Sequence, residues 1–264
     1  MNLDATAVPG TPHQLREMIA RGEWARPTSG VLDDYQQANL AVVPRAHAYD
    51  FLLFCTRNPK SCPLIAVTEP GSPFVDGRNG PIDLRSMLPR YRVWKEGVLV
   101  DEPTDLSGYW QDDAVGFLLG CSHTFDAPLR RAGIPVSGAA PAVYRTTLPC
   151  REAGGLSGPL VVSMRPVPAS KVSLAVEVTA RYPTGHGAPV HVGDPARLGI
   201  TDLNTPDFGV LPPMDDDSVP VFWACGVTPQ LVLPALGAPY VFSHYPGHML
   251  VLDWRVDEMA ARLN

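Results

Sequence analysis

Phe242-Ser243-His244-Tyr245-Pro246-Gly247-His248-Met249 reads as two extended segments interrupted by a tight corner. Proline followed by glycine suits a type II β-turn: proline presets the first central φ, and glycine accepts the positive φ at the second. The turn therefore runs from Tyr245 to His248, and residues 240–243 and 249–254 form the two strands of a hairpin. His244 and His248 stand at its mouth, and histidine is the side chain most easily tuned to exchange protons near neutral pH. Two solvated hairpin histidines are the plainer alternative.

Working upstream, residues 219–225 form an apolar strand. Gly226-Val227 turns it into a helix capped by Thr228, with Pro229 in the first helical position. Ligands gather at the carboxyl ends of strands in open α/β sheets, and helix N-termini offer N–H groups to anions. The N–H groups at Thr228 are thus expected to hold a carboxylate or phosphate. The texture changes between Ser137 and Asn204. Residues 160–164 read as a strand. Residues 171–181 alternate as a strand would, yet their length and their flanks, Ala169-Ser170 and Tyr182-Pro183, favour a helix. His186-Gly187-Ala188-Pro189-Val190-His191-Val192-Gly193-Asp194-Pro195 follows, a short strand ending in Asp194 as cap and a short helix stopped by Gly199. His186, His191 and Asp194 are residue types that ligate zinc or iron. Their spacing matches no established site, however, so no metal is assigned. The loop is read as shaping the cleft, with His186 and His191 facing substrate.

The N-terminal half carries clear punctuation. Thr11-Pro12-His13-Gln14 starts a helix that stops at Gly22. Pro44 opens a second helix, which must end before Asn58-Pro59. Residues 62–68 suggest a buried strand, and residues 90–94 and 98–100 a hairpin through Lys95-Glu96-Gly97. Residues 112–119 and 127–132 read as short helices flanking Gly120-Cys121-Ser122-His123-Thr124. The expected fold is a two-lobed mixed α/β protein. Residues 1–137 and 206–264 form a larger layered α/β lobe, and residues 138–205 a smaller inserted α+β lobe.

Composition narrows the function classes. The 264 residues include 45% apolar and 18% charged, enough for a proper core, and carry a formal charge of −6. That charge argues against nucleic acid or an anionic membrane as partner. The 29 prolines, about twice the usual ~5%, lie singly between apolar runs and mark element boundaries. Met1-Asn2-Leu3-Asp4 lacks a signal-type start, and no apolar run approaches the ~20 residues of a membrane helix. Five cysteines at irregular spacings suit a reduced cytoplasm. The expected location is therefore cytoplasmic.

Candidate chemistry concentrates in Gly120-Cys121-Ser122-His123-Thr124-Phe125-Asp126, which offers a thiol, hydroxyls, an imidazole and a carboxylate. The structural alternative is Ser122 or Thr124 as a helix cap and Cys121 as a small buried residue. Arg85, Arg90 and Arg92 supply guanidinium forks suited to a carboxylate; one of them, Arg85, is taken as the ligand. No Gly-x-Ser-x-Gly elbow, Walker loop or Gly-x-Gly-x-x-Gly fingerprint occurs, which disfavours hydrolase, nucleotide and dinucleotide readings.

Asn58-Pro59-Lys60-Ser61-Cys62-Pro63-Leu64, Asp83-Leu84-Arg85, Leu88-Pro89-Arg90-Tyr91-Arg92-Val93, Gly120-Cys121-Ser122, the His186–Pro195 segment and Pro246-Gly247-His248-Met249 occur in this order. The chain thereby resembles, from about Leu15 to Asp253, the bacterial hydro-lyase family related to a domain of D-glutamate cyclase. It departs from the expected pattern at His123 and Asp126, where the family is expected to carry Phe and Glu. The resemblance implies a two-lobed α/β enzyme. It also implies hydro-lyase activity on a small amino or hydroxy acid, D-glutamate to 5-oxo-D-proline with loss of water being the leading case. His244 and His248 are assigned to proton transfer, with Cys121 and Asp126 as partners. Arg85, Ser122, Thr228, His186 and His191 are assigned to substrate. Cys121, His244 and His248 should converge in a cleft between the lobes. The expected partner is a small-molecule carboxylate, with no cofactor, and a homo-oligomer is left open. The rival readings are a non-catalytic carboxylate-binding module and, behind it, a metal-dependent hydrolase.

Overall fold

The computed structural model describes residues 8–137 and 140–261. Met1–Asp4 and residue 138, the expected start of the inserted lobe, lie outside them. The strands are β1 (Tyr35–Pro44), β2 (Leu64–Val67), β3 (Phe74–Val75), β4 (Ile82–Asp83), β5 (Tyr91–Lys95), β6 (Val98–Asp101), β7 (Ala114–Gly120), β8 (Ala142–Pro149), β9 (Pro159–Pro168), β10 (His191–Val192), β11 (Ser218–Ala224), β12 (Val241–His244) and β13 (Leu250–Arg255). The helices are α1 (Pro12–Ala20), α2 (Arg45–Arg57), α3 (Asp126–Arg131), α4 (Val172–Ala180), α5 (Thr228–Val232) and α6 (Val256–Ala261). None of the described helices is long and apolar enough to cross a membrane.

The protein is mixed α/β, and among the described residues every strand pair is antiparallel. The larger sheet runs β2-β7-β1-β12-β5-β6, with β13 also on β1. Its two central strands are covered on both faces. Ala41, Val43, Val115, Phe117 and Leu119 pack towards Phe51 and Phe54 of α2. Leu40, Val42, Ala114 and Leu118 pack the other way, with Tyr91, Phe242 and Leu250. Double burial explains why β7 (Ala114–Gly120) is a strand where a helix over residues 112–119 is expected. With both faces apolar, the period of two leaves no polar alternation to read. Residues 64–67, in turn, form an edge strand: Leu64 and Val67 are exposed, so the apolar run is not the buried strand expected.

The Pro-Gly corner is a turn but not a hairpin. The His248 N–H donates to Tyr245 O at 2.9 Å, and Gly247 has φ +81°. Yet β12 and β13 run in the same direction along the same edge of β1. Ser243 lies opposite Ala41, and Leu250 opposite Ala38. Three steps along β1 are thus matched by seven on the other strand, and the surplus residues bulge out as a loop. Backbone N–H groups of Thr28 and Ser29 donate to Gly247 O at 2.9 and 3.3 Å and pin that loop. A Cβ at Gly247 would have room, its nearest neighbour being Ser29 Oγ at 3.6 Å. Gly247→Ala is therefore expected to cost about 1–2 kcal/mol, the left-handed backbone penalty alone. Urea unfolding should show this as a lower midpoint with unchanged slope.

The second sheet runs β10-β11-β9-β8. Val221 and Trp223 face α3 and α4, whereas Phe222 faces Tyr144 and Leu198. Because β11 pairs with β9 along its whole length, residues 218–224 belong to this sheet. The expected boundary at 205/206 therefore falls short, and the chain returns to the larger sheet only after Ala224. A continuous strand ladder holds β11 there, which an apolar run read alone does not reveal.

Candidate functional site

A cavity of about 500 Å³ opens where the two sheets meet. Asn39 of β1 and Arg92 of β5 reach it from the larger sheet. Cys121, Ser122 and His123 reach it from the end of β7, Cys225 and Gly226 from the end of β11, and His244 from the end of β12. A larger hollow of about 830 Å³ abuts it across Ala140, Pro141 and Gly209, but its lining is mostly proline and apolar.

The turn after β7 is built by close packing. A Cβ on Gly120 would stand 1.5 Å from Thr184 O, so only glycine lets the Pro183–Gly185 turn press against the backbone beside Cys121. His186 belongs to this buttress. Its φ is +77°, it is buried, and Nδ1 lies 2.6 Å from Lys60 O. Burial pulls its pKa down to about 4. His186 is not among the residues lining the cavity, which corrects its assignment to substrate. His191 is corrected likewise: it sits on β10, with Nε2 2.8 Å from Asp194 O. The two histidines thus have separate partners. Among the described residues, no group of three His, Cys, Asp or Glu stands in a metal-holding arrangement.

A buried charge relay backs the cavity. Arg165 Nε donates to Asp126 Oδ1 at 2.7 Å, and His123 Nδ1 lies 2.9 Å from Asp126 Oδ2. Arg165 also donates to Ser163 Oγ and Ser122 Oγ at 3.1 and 3.2 Å. Burial alone would raise the Asp126 carboxyl, but the Arg165 guanidinium and His123 outweigh it, so the carboxyl lies below its usual range. An ionised Asp126 accepts, so His123 Nδ1 is the donor of this pair and Nε2 is the ring nitrogen left for other partners. His123 itself lines the cavity. Asp126 does not itself line the cavity; it orients His123. Cys121 is a protonated thiol, pushed up to about 12 by burial.

His244 occupies the break between β12 and β13. Its Nδ1 lies 3.2 Å from Leu40 N and 3.3 Å from Leu40 O, so the ring stands in for the absent strand against β1. Gln230 Nε2 donates to His244 O at 3.1 Å. Burial takes the His244 pKa down to about 4, and it lines the cavity as a neutral imidazole. His248 does not line it. Its Nδ1 lies 3.0 Å from Pro246 O, and its ring packs edge-on against Tyr245 at 5.1 Å. The expected convergence therefore holds for the placement of Cys121 and His244, while His248 braces the loop, turned inward by its own backbone.

Arg85 and Thr228 are also placed elsewhere. Arg85 binds Asp83, with Nη2–Oδ2 at 2.7 Å, and stays off the cavity. Arg92 is the arginine brought to it, with Nε 3.1 Å from Glu102 Oε1 and its guanidinium 4.8 Å from the Tyr245 ring centroid. The Thr228 N–H and hydroxyl both donate to Cys225 O, at 3.0 and 2.8 Å. Val161 N–H in turn donates to Thr228 Oγ1 at 3.1 Å. Thr228 thus ties β11 to β9 and has no N–H left for a ligand. His123 and Arg92 stand among the sequence candidates without an assigned role, whereas Arg165 and Cys225 are not singled out there. Of these two, Arg165 carries a legible signal, a lone charge at the end of the apolar run Leu160-Val161-Val162-Ser163-Met164-Arg165, which must be paired if buried.

Known proteins bear on this site as follows. The family model described as D-glutamate cyclase matches residues 115–253, which include most of the cavity wall. A protein of Stutzerimonas stutzeri named "Putative hydro-lyase" is 52% identical over 254 residues, covering 94% of this chain and 96% of that protein. One of the same name from Saccharopolyspora erythraea is 54% identical over 236 residues, 88% and 92% of the two chains. Another, from Bacillus pumilus, is 46% identical over 253 residues, 94% and 96% of the two. Among solved structures, a nitrogen repressor-like protein from Methanococcus jannaschii gives a TM-score of 0.38 at 11% identity, covering 87% of this chain and 90% of that one. With a family model spanning both strand–cysteine turns and relatives near half identity along almost the whole length, this chain belongs to the D-glutamate cyclase family.

Proposed function

We infer that the protein is a hydro-lyase acting on a small amino or hydroxy acid, with D-glutamate, closing to 5-oxo-D-proline, as the leading substrate. The observation that supports this is the Arg165–Asp126–His123 relay ending at a cavity that also carries a guanidinium. In the D-glutamate reaction the amine attacks the γ-carboxyl carbon, a C–N bond forms and one carboxyl oxygen leaves as water. The ammonium must lose two protons on the way to the lactam N–H, and the departing carboxylate oxygen must gain two to leave as water. His123 Nε2 takes these protons one at a time and returns each to the departing oxygen, while the Asp126 carboxylate stabilises the intervening imidazolium. Arg92 holds the α-carboxylate as a fork. The Cys121 thiol and Ser122 hydroxyl, both still protonated, donate to the charge that develops on the γ-carboxyl oxygen.

The test is direct. Purified protein is incubated with D-glutamate and 5-oxo-D-proline is followed by NMR. Arg92→Ala should raise KM by roughly tenfold or more, as expected for a lost charge-assisted contact, while Arg85→Ala leaves both constants unchanged. A ligand-dependent rise in melting temperature without any turnover would instead establish a non-catalytic carboxylate-binding module.

A further inference from the structure

Cys225 shares the cavity with Cys121, and the reaction derived above makes no use of it. The two settings match. Cys121 directly follows β7, a central strand of the larger sheet, and Cys225 directly follows β11, a central strand of the second sheet. Both are succeeded by a helical turn. Both are flanked by a glycine that its surroundings require. The Gly120 contact with Thr184 is described above, and a Cβ on Gly226 would stand 1.9 Å from Asn39 Nδ2. Asn39 is itself fixed, donating to Gly120 O at 2.6 Å. One side-chain amide thus braces both cysteine turns, and each sheet delivers one thiol into a common space.

We propose that Cys121 and Cys225 form a two-thiol acid–base couple that exchanges the α-hydrogen of an amino-acid substrate in this cavity. The inference rests on the reading of the cavity as a small amino-acid site. One sulfur, as thiolate, takes the Cα hydrogen as a proton and an S–H bond forms. The C–H electron pair passes into the α-carboxylate as an enolate, whose charge the Arg92 guanidinium offsets. The second thiol gives its proton to Cα and is left as thiolate. No electrons are gained or lost overall, and one proton has moved from one sulfur to the other. Delivery from the other sheet's side inverts the carbon.

The surroundings favour the couple. Burial raises both thiols, so the resting cavity holds two S–H groups, whereas the Arg165 charge pulls both back towards ionisation. The backbone N–H groups of His123 and Val227 favour the thiolates of Cys121 and Cys225 respectively. His123, two residues from Cys121 on the same cavity wall, is the acceptor for the proton that primes the first thiol.

The experiment uses the full chain in D₂O with D-glutamate and, separately, L-glutamate. It reads the Cα proton by NMR, the enantiomer by chiral chromatography and 5-oxoproline in the same samples. The expected result is Cα deuteration with appearance of the opposite enantiomer. Cys121→Ser and Cys225→Ser should each lower the exchange by about 100-fold or more, the scale of a lost acid–base group. Cys150→Ser, off the cavity, should leave it unchanged. If Cys225→Ser does not fold, as judged by its melting curve, Cys225→Ala takes its place. If neither folds, iodoacetamide labelling of the unaltered protein decides, since D-glutamate must protect both thiols if the couple embraces the substrate. 5-Oxoproline without Cα deuteration overturns the couple and leaves the dehydration standing. Deuteration without 5-oxoproline supports the couple and rejects the dehydration. Exchange that persists in the Cys225 variants overturns the couple, and the absence of both products overturns both readings.

Discussion

Lowering the pH from about 6.5 to about 4 should destabilise the fold by several kcal/mol, because His186 and His244 are buried as neutral imidazoles with pKa values of about 4. Burial is the leading cause in both, since neither ring has a carboxylate to stabilise its charged form. Above pH 6.5 both are neutral folded or unfolded and contribute no pH dependence. Below it the unfolded chain binds protons that the folded chain refuses, so stability falls with falling pH. The loss continues until the folded-state pKa is reached. Each group contributes about 1.4 kcal/mol per pH unit within the window, hence on the order of 3 kcal/mol across it. The His248 pKa is also lowered, by burial first, and adds in the same direction. Asp126, held low, loses its stabilising charge only at more acid pH. Urea unfolding at intervals between pH 7 and pH 4.5 measures the slope. His186→Asn, which tolerates the left-handed backbone, and His244→Gln should each flatten it, whatever their effect at pH 7. A slope that is flat in the unaltered protein would contradict the buried neutral state.

His123→Gln should reduce kcat by about 10²–10⁴-fold, the usual contribution of a positioned acid–base group, while the melting temperature moves little. Glutamine can still donate to Asp126 from its amide but cannot accept and return a proton. Asp126→Asn is the companion variant. It keeps the shape, loses the charge that sets the His123 tautomer, and should lower kcat with little change in KM. It also leaves Arg165 buried beside a neutral partner, which should cost about 3–5 kcal/mol of stability. The two variants therefore separate: one loses activity without stability, the other loses both. Unchanged turnover in His123→Gln would remove His123 from the proton-transfer role and turn attention to the thiols.

Most caps and turns set by one short segment agree with the sequence, although Thr228, expected to cap a helix, is instead the first residue of α5 and its hydroxyl accepts from Val161 N–H. Thr11 Oγ1 accepts from Gln14 N at 3.2 Å at the start of α1. Asp194 Oδ1 accepts from Ala196 N at 3.0 Å, and Gly199 closes that turn at φ +77°. Pro44 precedes α2, and Tyr245–His248 makes the turn that Pro246 and Gly247 specify. Caps and turns depend on φ preferences and on hydrogen bonds to near neighbours, which travel with the residues themselves. Family membership was also legible, because the motifs that carry it are local.

Tertiary structure decided everything that turns on what a segment packs against. Residues 114–120 became a strand because β1 and β2 offered ladders on both sides and both of its faces were covered. The Pro-Gly turn became a bulge between collinear strands because β1 pairs with both flanks, leaving His244 to fill the gap at Leu40. Arg85 found Asp83 two residues away, whereas Arg92 was carried to the cavity by the register of β5 on β12. Cys121 and Cys225, far apart in the chain, share a wall because each ends a central strand of its own sheet. Turn chemistry is a property of a few consecutive residues. Which face is buried, and which distant side chains meet there, is settled by non-local pairing, and no window of the sequence contains both partners.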